Sequence, residues 1–213
     1  MSRIPGRAKV SKAVALAHQI QYLSLALRFA LFAGVAVCAQ LAGLAWADGS
    51  IVAWGNNECG EGNVPPPNAG FVAVAAGYYY HSLGLKADGS IVAWGDNRKG
   101  QCNVPSPNTG FVAVAAGGYH NLGLKADGSI VAWGTNAYGE GNVPSPNTGF
   151  IAIAAGGDYH SLGLKADGSI VAWGWNDHGQ CNVPSPNTGF VVVSAGFGHS
   201  LGLKADGSIV AWG

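Results

Sequence analysis

The nine residues Ala-Asp-Gly-Ser-Ile-Val-Ala-Trp-Gly occur five times, at 47–55, 87–95, 126–134, 166–174 and 205–213. Their tryptophans, Trp54, Trp94, Trp133, Trp173 and Trp212, are 40, 39, 40 and 39 residues apart. His81, His120, His160 and His199 keep step at 39, 40 and 39. A fixed period near forty marks one supersecondary unit copied in tandem, and it overrides any domain count based on length.

Inside each unit the local pattern is that of strands. Runs such as Phe-Val-Ala-Val-Ala-Ala at 71–76 are short and β-branched, and no helical period of useful length occurs in 48–213. Asp88-Gly89 separates two strand-like runs, Ser82 to Lys86 and Ser90 to Trp94, which makes the repeated phrase the turn and second arm of a hairpin. Glycine supplies the positive φ such a turn needs and aspartate bonds back to local backbone. Each unit thus offers about three short strands, apolar on both faces, and such a sheet is not stable alone in water. Stacking successive sheets around an axis buries those faces. The predicted fold is all-β: a β-propeller of tandem blades of about 39–40 residues. Gly84, Gly123, Gly163 and Gly202 would let neighbouring blades approach closely. Each recurring tryptophan would bury roughly 150–250 Å².

The stretch Gly-Phe-Val-Ala-Val-Ala-Ala-Gly-Gly-Tyr-His-Asn-Leu-Gly-Leu-Lys at 110–125, continuing to Pro144, resembles the repeat of the regulator of chromosome condensation superfamily. The likeness covers about 48–213, and its compact units are most similar to short-repeat bacterial propellers such as β-lactamase inhibitor protein II. The resemblance implies a propeller, usually of seven blades. This chain holds units at about 56–95, 96–134, 135–174 and 175–213, plus an extra strand at 48–55, so it is expected to form a partial arc of four to five blades. A truncated or fragmentary product, a smaller closed ring, and a ring completed by self-association through open blade edges are the readings this leaves.

Residues 1–47 have a different character. Arg3, Arg7, Lys9, Lys12 and Arg28 precede an uncharged run from Phe29 to Ala47 that ends in the small-x-small triplet Ala45-Trp46-Ala47. The pattern is that of an export signal; an uncleaved membrane anchor over 29–47 is the main rival, and an Arg-rich, acid-free transit peptide is another. Signal and anchor both predict a secreted or cell-envelope location. With that segment set aside, the repeats hold six basic and eleven acidic residues. A net acidic domain is poorly suited to nucleic acid, whose affinity is built largely on phosphate neutralisation.

Subtracting the repeated residues leaves two variable loop positions per blade. After Ala-Ala-Gly, or Ser-Ala-Gly in the last unit, these are Tyr78, Tyr79 and Tyr80, then Tyr119, then Asp158 and Tyr159, then Phe197. After Ala-Trp-Gly they include Asn56 and Glu58, then Asp96, Arg98 and Lys99, then Thr135 and Tyr138, then Trp175, Asp177 and His178. A constant frame with variable aromatic and charged loops is how a rigid scaffold presents a recognition surface. The alternative is that these aromatics fill space between blades. The four repeated histidines invite a metal, but their recurrence within Gly-x-x-His-x-Leu is more simply a side chain hydrogen-bonded to backbone of its own blade. Cys102 and Cys181 share one repeat position two blades apart, too far for a disulfide, and read as small semi-buried residues; Cys59 has no obvious mate. No catalytic triad and no phosphate loop is present, so neither an enzyme nor a cofactor is expected. The sequence therefore predicts a non-catalytic extracytoplasmic module whose rim binds a protein, or a glycan. The resemblance supplies the alternative, a guanine-nucleotide exchange factor-like regulator of a small GTPase.

Overall fold

The computed structural model describes residues 49–213. The predicted export segment lies outside the described residues. Twelve strands form four separate three-stranded antiparallel sheets. They are β1 (Phe71–Ala76), β2 (His81–Lys86) and β3 (Ile91–Gly95); β4 (Phe111–Ala116), β5 (His120–Lys125) and β6 (Ile130–Gly134); β7 (Phe150–Ala155), β8 (His160–Lys165) and β9 (Ile170–Gly174); β10 (Phe190–Ala195), β11 (Ser200–Lys204) and β12 (Ile209–Trp212). In every sheet the three strands lie in sequence order, so the His-bearing strand is central in the first three and its counterpart β11 is central in the last. The described residues are an all-β arc of four propeller blades.

Each blade is tied to the next at the Asp-Gly turn. Gly89 takes a φ of 79°, and the Asp88 carboxylate accepts from the backbone N–H and hydroxyl of Ser90 at 2.9 and 2.7 Å. The Gly89 carbonyl then accepts the N–H of Phe111, first residue of the next blade, at 3.0 Å. Gly128 with Phe150 and Gly168 with Phe190 repeat that tie. Above it the apolar faces stack: Leu83, Leu85 and Ile91 form one buried cluster with Phe111 and Trp133 of the second blade. The strand glycines make this packing possible in a way the sequence conveys only partly. A Cβ on Gly163 would lie 2.5 Å from the Phe150 ring of its own blade and 3.3 Å from Ile130 of the blade before. The glycine therefore seats its own blade's phenylalanine first and the neighbour second.

The tryptophans separate phrase from context. Trp94, Trp133, Trp173 and Trp212 are 8, 7, 6 and 8 % exposed, and their indole N–H groups donate to the carbonyls of Glu61, Gln101, Glu140 and Gln180 at 2.8 to 2.9 Å. Trp54, in an identical phrase, is 89 % exposed. Residues 49–55, expected as an extra strand, form a single isolated bridge from Gly49 to Phe71, with the Asn68 amide pairing both backbone groups of Ile51. Burial of the tryptophan is supplied by the strands beside it and not by the phrase, so the expectation that every copy buries one is corrected at Trp54.

The histidines differ from expectation in a second way. The Nε2 bonds of three of them leave their own blade. His81 Nε2 lies 2.7 Å from Asn121 Oδ1, His120 Nε2 3.1 Å from Ser161 Oγ, and His160 Nε2 3.1 Å from Ser200 Oγ, always one blade ahead. Asn121, Ser161 and Ser200 donate in turn to the carbonyls that receive the indoles, those of Gln101, Glu140 and Gln180. Interblade cohesion thus has a fully buried polar thread as well as an apolar face. Burial depresses the imidazoles, His120 to about 3 and His160 to about 4, so they are neutral at ordinary pH. Cys102 and Cys181 are half-buried free thiols pushed up to about 11 by that burial, and Cys59 is free and exposed.

Candidate functional site

The alternation of 39 and 40 residues has a single structural source. Between the first and second strands, blades one and three have one residue more than blades two and four: Tyr78-Tyr79-Tyr80 and Gly157-Asp158-Tyr159 against Gly118-Tyr119 and Phe197-Gly198. In the two longer loops the residue before the histidine takes a left-handed backbone, Tyr80 at φ 60° and Tyr159 at φ 54°. These are the two non-glycine residues among those described with positive φ. A strained tyrosine of this kind costs about 1–3 kcal/mol, and such strain collects at functional surfaces.

These loops join one another across the blades. Tyr78 N–H donates to Gly117 O, Gly118 N–H to Gly156 O, Gly157 N–H to Gly196 O, and Asp158 N–H to Phe197 O, at 3.0 to 3.2 Å. The glycines are needed here, since a Cβ on Gly118 would come within 2.4 Å of the Gly157 carbonyl. The second variable loops are held from below. The side chains of Gln101, Glu140 and Gln180, fully buried, accept the N–H groups of Lys99, Tyr138 and His178 at 2.8, 2.8 and 3.0 Å. Sequence reasoning missed these acceptors, although a Glu or Gln one residue ahead of each Gly/Cys-Asn-Val-Pro stretch was a visible signal.

On this frame the aromatic side chains form one continuous chain. Tyr79 stacks on Tyr119 with centroids 4.4 Å apart and planes at 11°, and Tyr119 on Tyr159 at 6.4 Å and 23°. Tyr138 meets Tyr159 at 5.1 Å and Trp175 at 6.2 Å, and Trp175 meets the His178 ring edge-on at 4.9 Å. At the other end Tyr78 touches Tyr79 at 4.8 Å and Phe197 at 5.3 Å. That last contact joins the first blade to the fourth, so the arc curves tightly enough to bring all four first loops together. Tyr78, Tyr138 and Phe197 are 62, 54 and 46 % exposed, while Tyr79, Tyr119, Tyr159 and Trp175 are half-buried.

The remaining residues singled out from sequence stand apart from the rings. Tyr80 is exposed and makes no ring contact among the described residues; its carbonyl accepts the Asp96 N–H at 2.7 Å. Arg98 is drawn onto Asp96, Nε to Oδ1 at 2.9 Å, and that hydrogen bond holds the Asp96 carboxyl below the usual carboxylate range. Lys99 and Asp177 are exposed. Asp158 is half-buried between the loop residues, and desolvation raises its carboxyl. Desolvation likewise raises the hydroxyls of Tyr79 and Tyr159, with the nearby Asp158 charge contributing.

A rigid arc of tandem three-stranded blades with an aromatic rim defines the class: a repeat propeller. The regulator of chromosome condensation (RCC1) repeat matches residues 71–101, 111–140, 150–180 and 190–213. The chain belongs to that repeat family. No curated protein sequence matches it. Among solved structures it is similar to Prp20p from Saccharomyces cerevisiae, at 23 % identity and a TM-score of 0.60, covering 67 % of this chain and 45 % of that one. It is similar to the ectodomain of the receptor kinase CR4 from Physcomitrella patens at 24 % and 0.61, covering 71 % and 43 %. The ectodomain of the receptor kinase ACR4 from Arabidopsis thaliana matches at 27 % and 0.57, covering 67 % and 50 %. This chain therefore spans half or less of the length of these structures.

Proposed function

We propose that the protein is a non-catalytic, extracytoplasmic binding module that recognises a protein through its aromatic rim, in the manner of the short-repeat bacterial propellers such as β-lactamase inhibitor protein II. The observation that carries this reading is the unbroken chain of rings from Phe197 through Tyr78 to His178, contributed by all four blades and exposed at Tyr78, Tyr138 and Phe197. Tyrosine and tryptophan give large contact areas at small entropic cost, and a fixed backbone beneath them limits what is lost on binding. A glycan is the other ligand class such rings accept. The basic, then apolar, segment before Asp48 supports export.

The experiment is capture of partners from secreted and envelope fractions on the immobilised full chain. Tyr78→Ala with Tyr79→Ala is expected to abolish specific capture with the fold intact; retained capture would refute the rim. N-terminal sequencing of the exported product tests cleavage after Ala47. A second reading, a regulator of a small GTPase, is favoured by the likeness to Prp20p, whose structure was described together with its binding to Gsp1p and histones. Accelerated nucleotide release from a small GTPase would select it.

A further inference from the structure

We infer that the rim recognises a basic side chain, an arginine or lysine on the surface of the partner protein, seated against Asp158 beside the rings of Tyr78 and Phe197. This inference rests on the rim being a binding surface and specifies what it binds.

Asp158 carries a charge with no ion-pair partner among the described residues. Among the described residues the single ion pair is Arg98 with Asp96, and no side chain or backbone group there donates a hydrogen bond to the Asp158 carboxylate. The other cations of the described residues stand elsewhere. Lys86, Lys125, Lys165 and Lys204 stand at the far ends of the central strands, each over the phenylalanine of its own blade at 3.7 to 4.9 Å from the ring centroid. Arg98 is held by Asp96, and Lys99 is exposed in another loop. Among the described residues no lysine, arginine or histidine nitrogen lies within ion-pair distance of the Asp158 carboxylate.

The surroundings of that carboxylate suit a cation. Asp158 is fixed by its N–H to Phe197 O at 3.1 Å and follows Gly157, where an added Cβ would lie 3.0 Å from the Phe197 ring and 3.6 Å from Tyr78. Rings of the first and fourth blades thus close on the residue just before it. Aromatic faces attract guanidinium and ammonium groups, and arginine also stacks on them. A carboxylate already stripped of part of its water has less hydration to lose when the cation arrives, and its charge is less screened. The two strained tyrosines of the described residues belong to the same two loops. A neutral apolar partner would leave Asp158 buried and unpaired, a penalty that selects against it.

The test is selection of a displayed library of disulfide-cyclised random peptides on the immobilised full chain, with binding of the winners measured to the wild type, to Asp158→Asn, and to Tyr78, Tyr79, Tyr119→Ala. The expected winners lose binding to the tyrosine variant, share an arginine or lysine at one position, and bind Asp158→Asn at least tenfold more weakly. Replacing that basic residue by norleucine or citrulline should weaken binding to the unmodified protein by the same factor, which keeps the test valid should Asp158→Asn fold poorly. Peptides that need the rings but no basic residue overturn the cation and leave the rim standing. Winners indifferent to the rings, or no winners, overturn both.

Discussion

The identical phrases around Trp54 and Trp133 allow one substitution to be its own control. Trp133→Ala removes a ring that is 7 % exposed, packed with Leu83, Leu85, Ile91 and Phe111, and donating to the Gln101 carbonyl at 2.9 Å. Large-to-small replacement of a buried tryptophan costs about 3–5 kcal/mol. The Gln101 carbonyl keeps its bond from Asn121 at 2.8 Å, so no unsatisfied acceptor adds to that figure. Trp54→Ala removes a ring that is 89 % exposed and should change stability by no more than about 0.5 kcal/mol, the range of ordinary surface substitutions. For a domain of this size the difference corresponds to roughly 6–20 °C in Tm, at about 2–4 °C per kcal/mol. Thermal and urea melts of the two variants beside the wild type provide the comparison. Equal losses at the two sites would mean that the phrase stabilises locally, and would refute the claim that stacking between blades buries it.

Three further outcomes follow from the same lattice. Because burial lowers the folded-state imidazoles of His120 and His160 to about 3 and about 4, against an ordinary 6.5, the unfolded chain binds more protons between those limits. Stability should be full above pH 6.5 and fall as the pH drops towards 4, by up to about 1.4 kcal/mol per pH unit for each histidine; a Tm unchanged between pH 7 and pH 4.5 would contradict this. Gly163→Ala places a methyl 2.5 Å from the Phe150 ring and should cost about 1–3 kcal/mol by overpacking, read from urea midpoints, whereas an unchanged midpoint would mean the ring has room to move. Arg98→Ala removes an exposed group whose one ion-pair partner among the described residues is Asp96, and the thermal melt should stay superimposable on that of the wild type, because solvent screens such a pair.

The blades were legible because their determinants are local. Asp88-Gly89 between two apolar runs fixes a hairpin whatever lies around it, and the observed His81–Lys86 and Ile91–Gly95 match the expected arms to within a residue. What lies across a blade boundary was not legible. Nothing in the repeat around His81 reveals that it meets Asn121, since that partner sits in the next unit and is replaced by serine in the two that follow. The exposure of Trp54 could not be read from nine residues shared with four buried copies. At the rim, residue types were available from sequence but their assembly was not. The Tyr78–Phe197 contact depends on the curvature accumulated over four blades, and Tyr80, one residue from Tyr79, stands outside the ring chain although Tyr159, with the same left-handed backbone, lies within it. The one-residue insertion beneath that turn was present in the 39/40 spacing, and counting from Ala-Ala-Gly to His would have located it.

The central claim is that the blades supply the stability and the rim rings supply the recognition. It is tested most directly by the variant Tyr78, Tyr138, Phe197→Ala, which removes the exposed tyrosine and phenylalanine rings of the rim's ring chain, followed by side-by-side measurement of its affinity for a captured partner and of its thermal melt. The account predicts at least a tenfold loss of affinity with Tm within a few degrees of wild type. Undiminished affinity, or a melt that collapses as it should for Trp133→Ala, would contradict it.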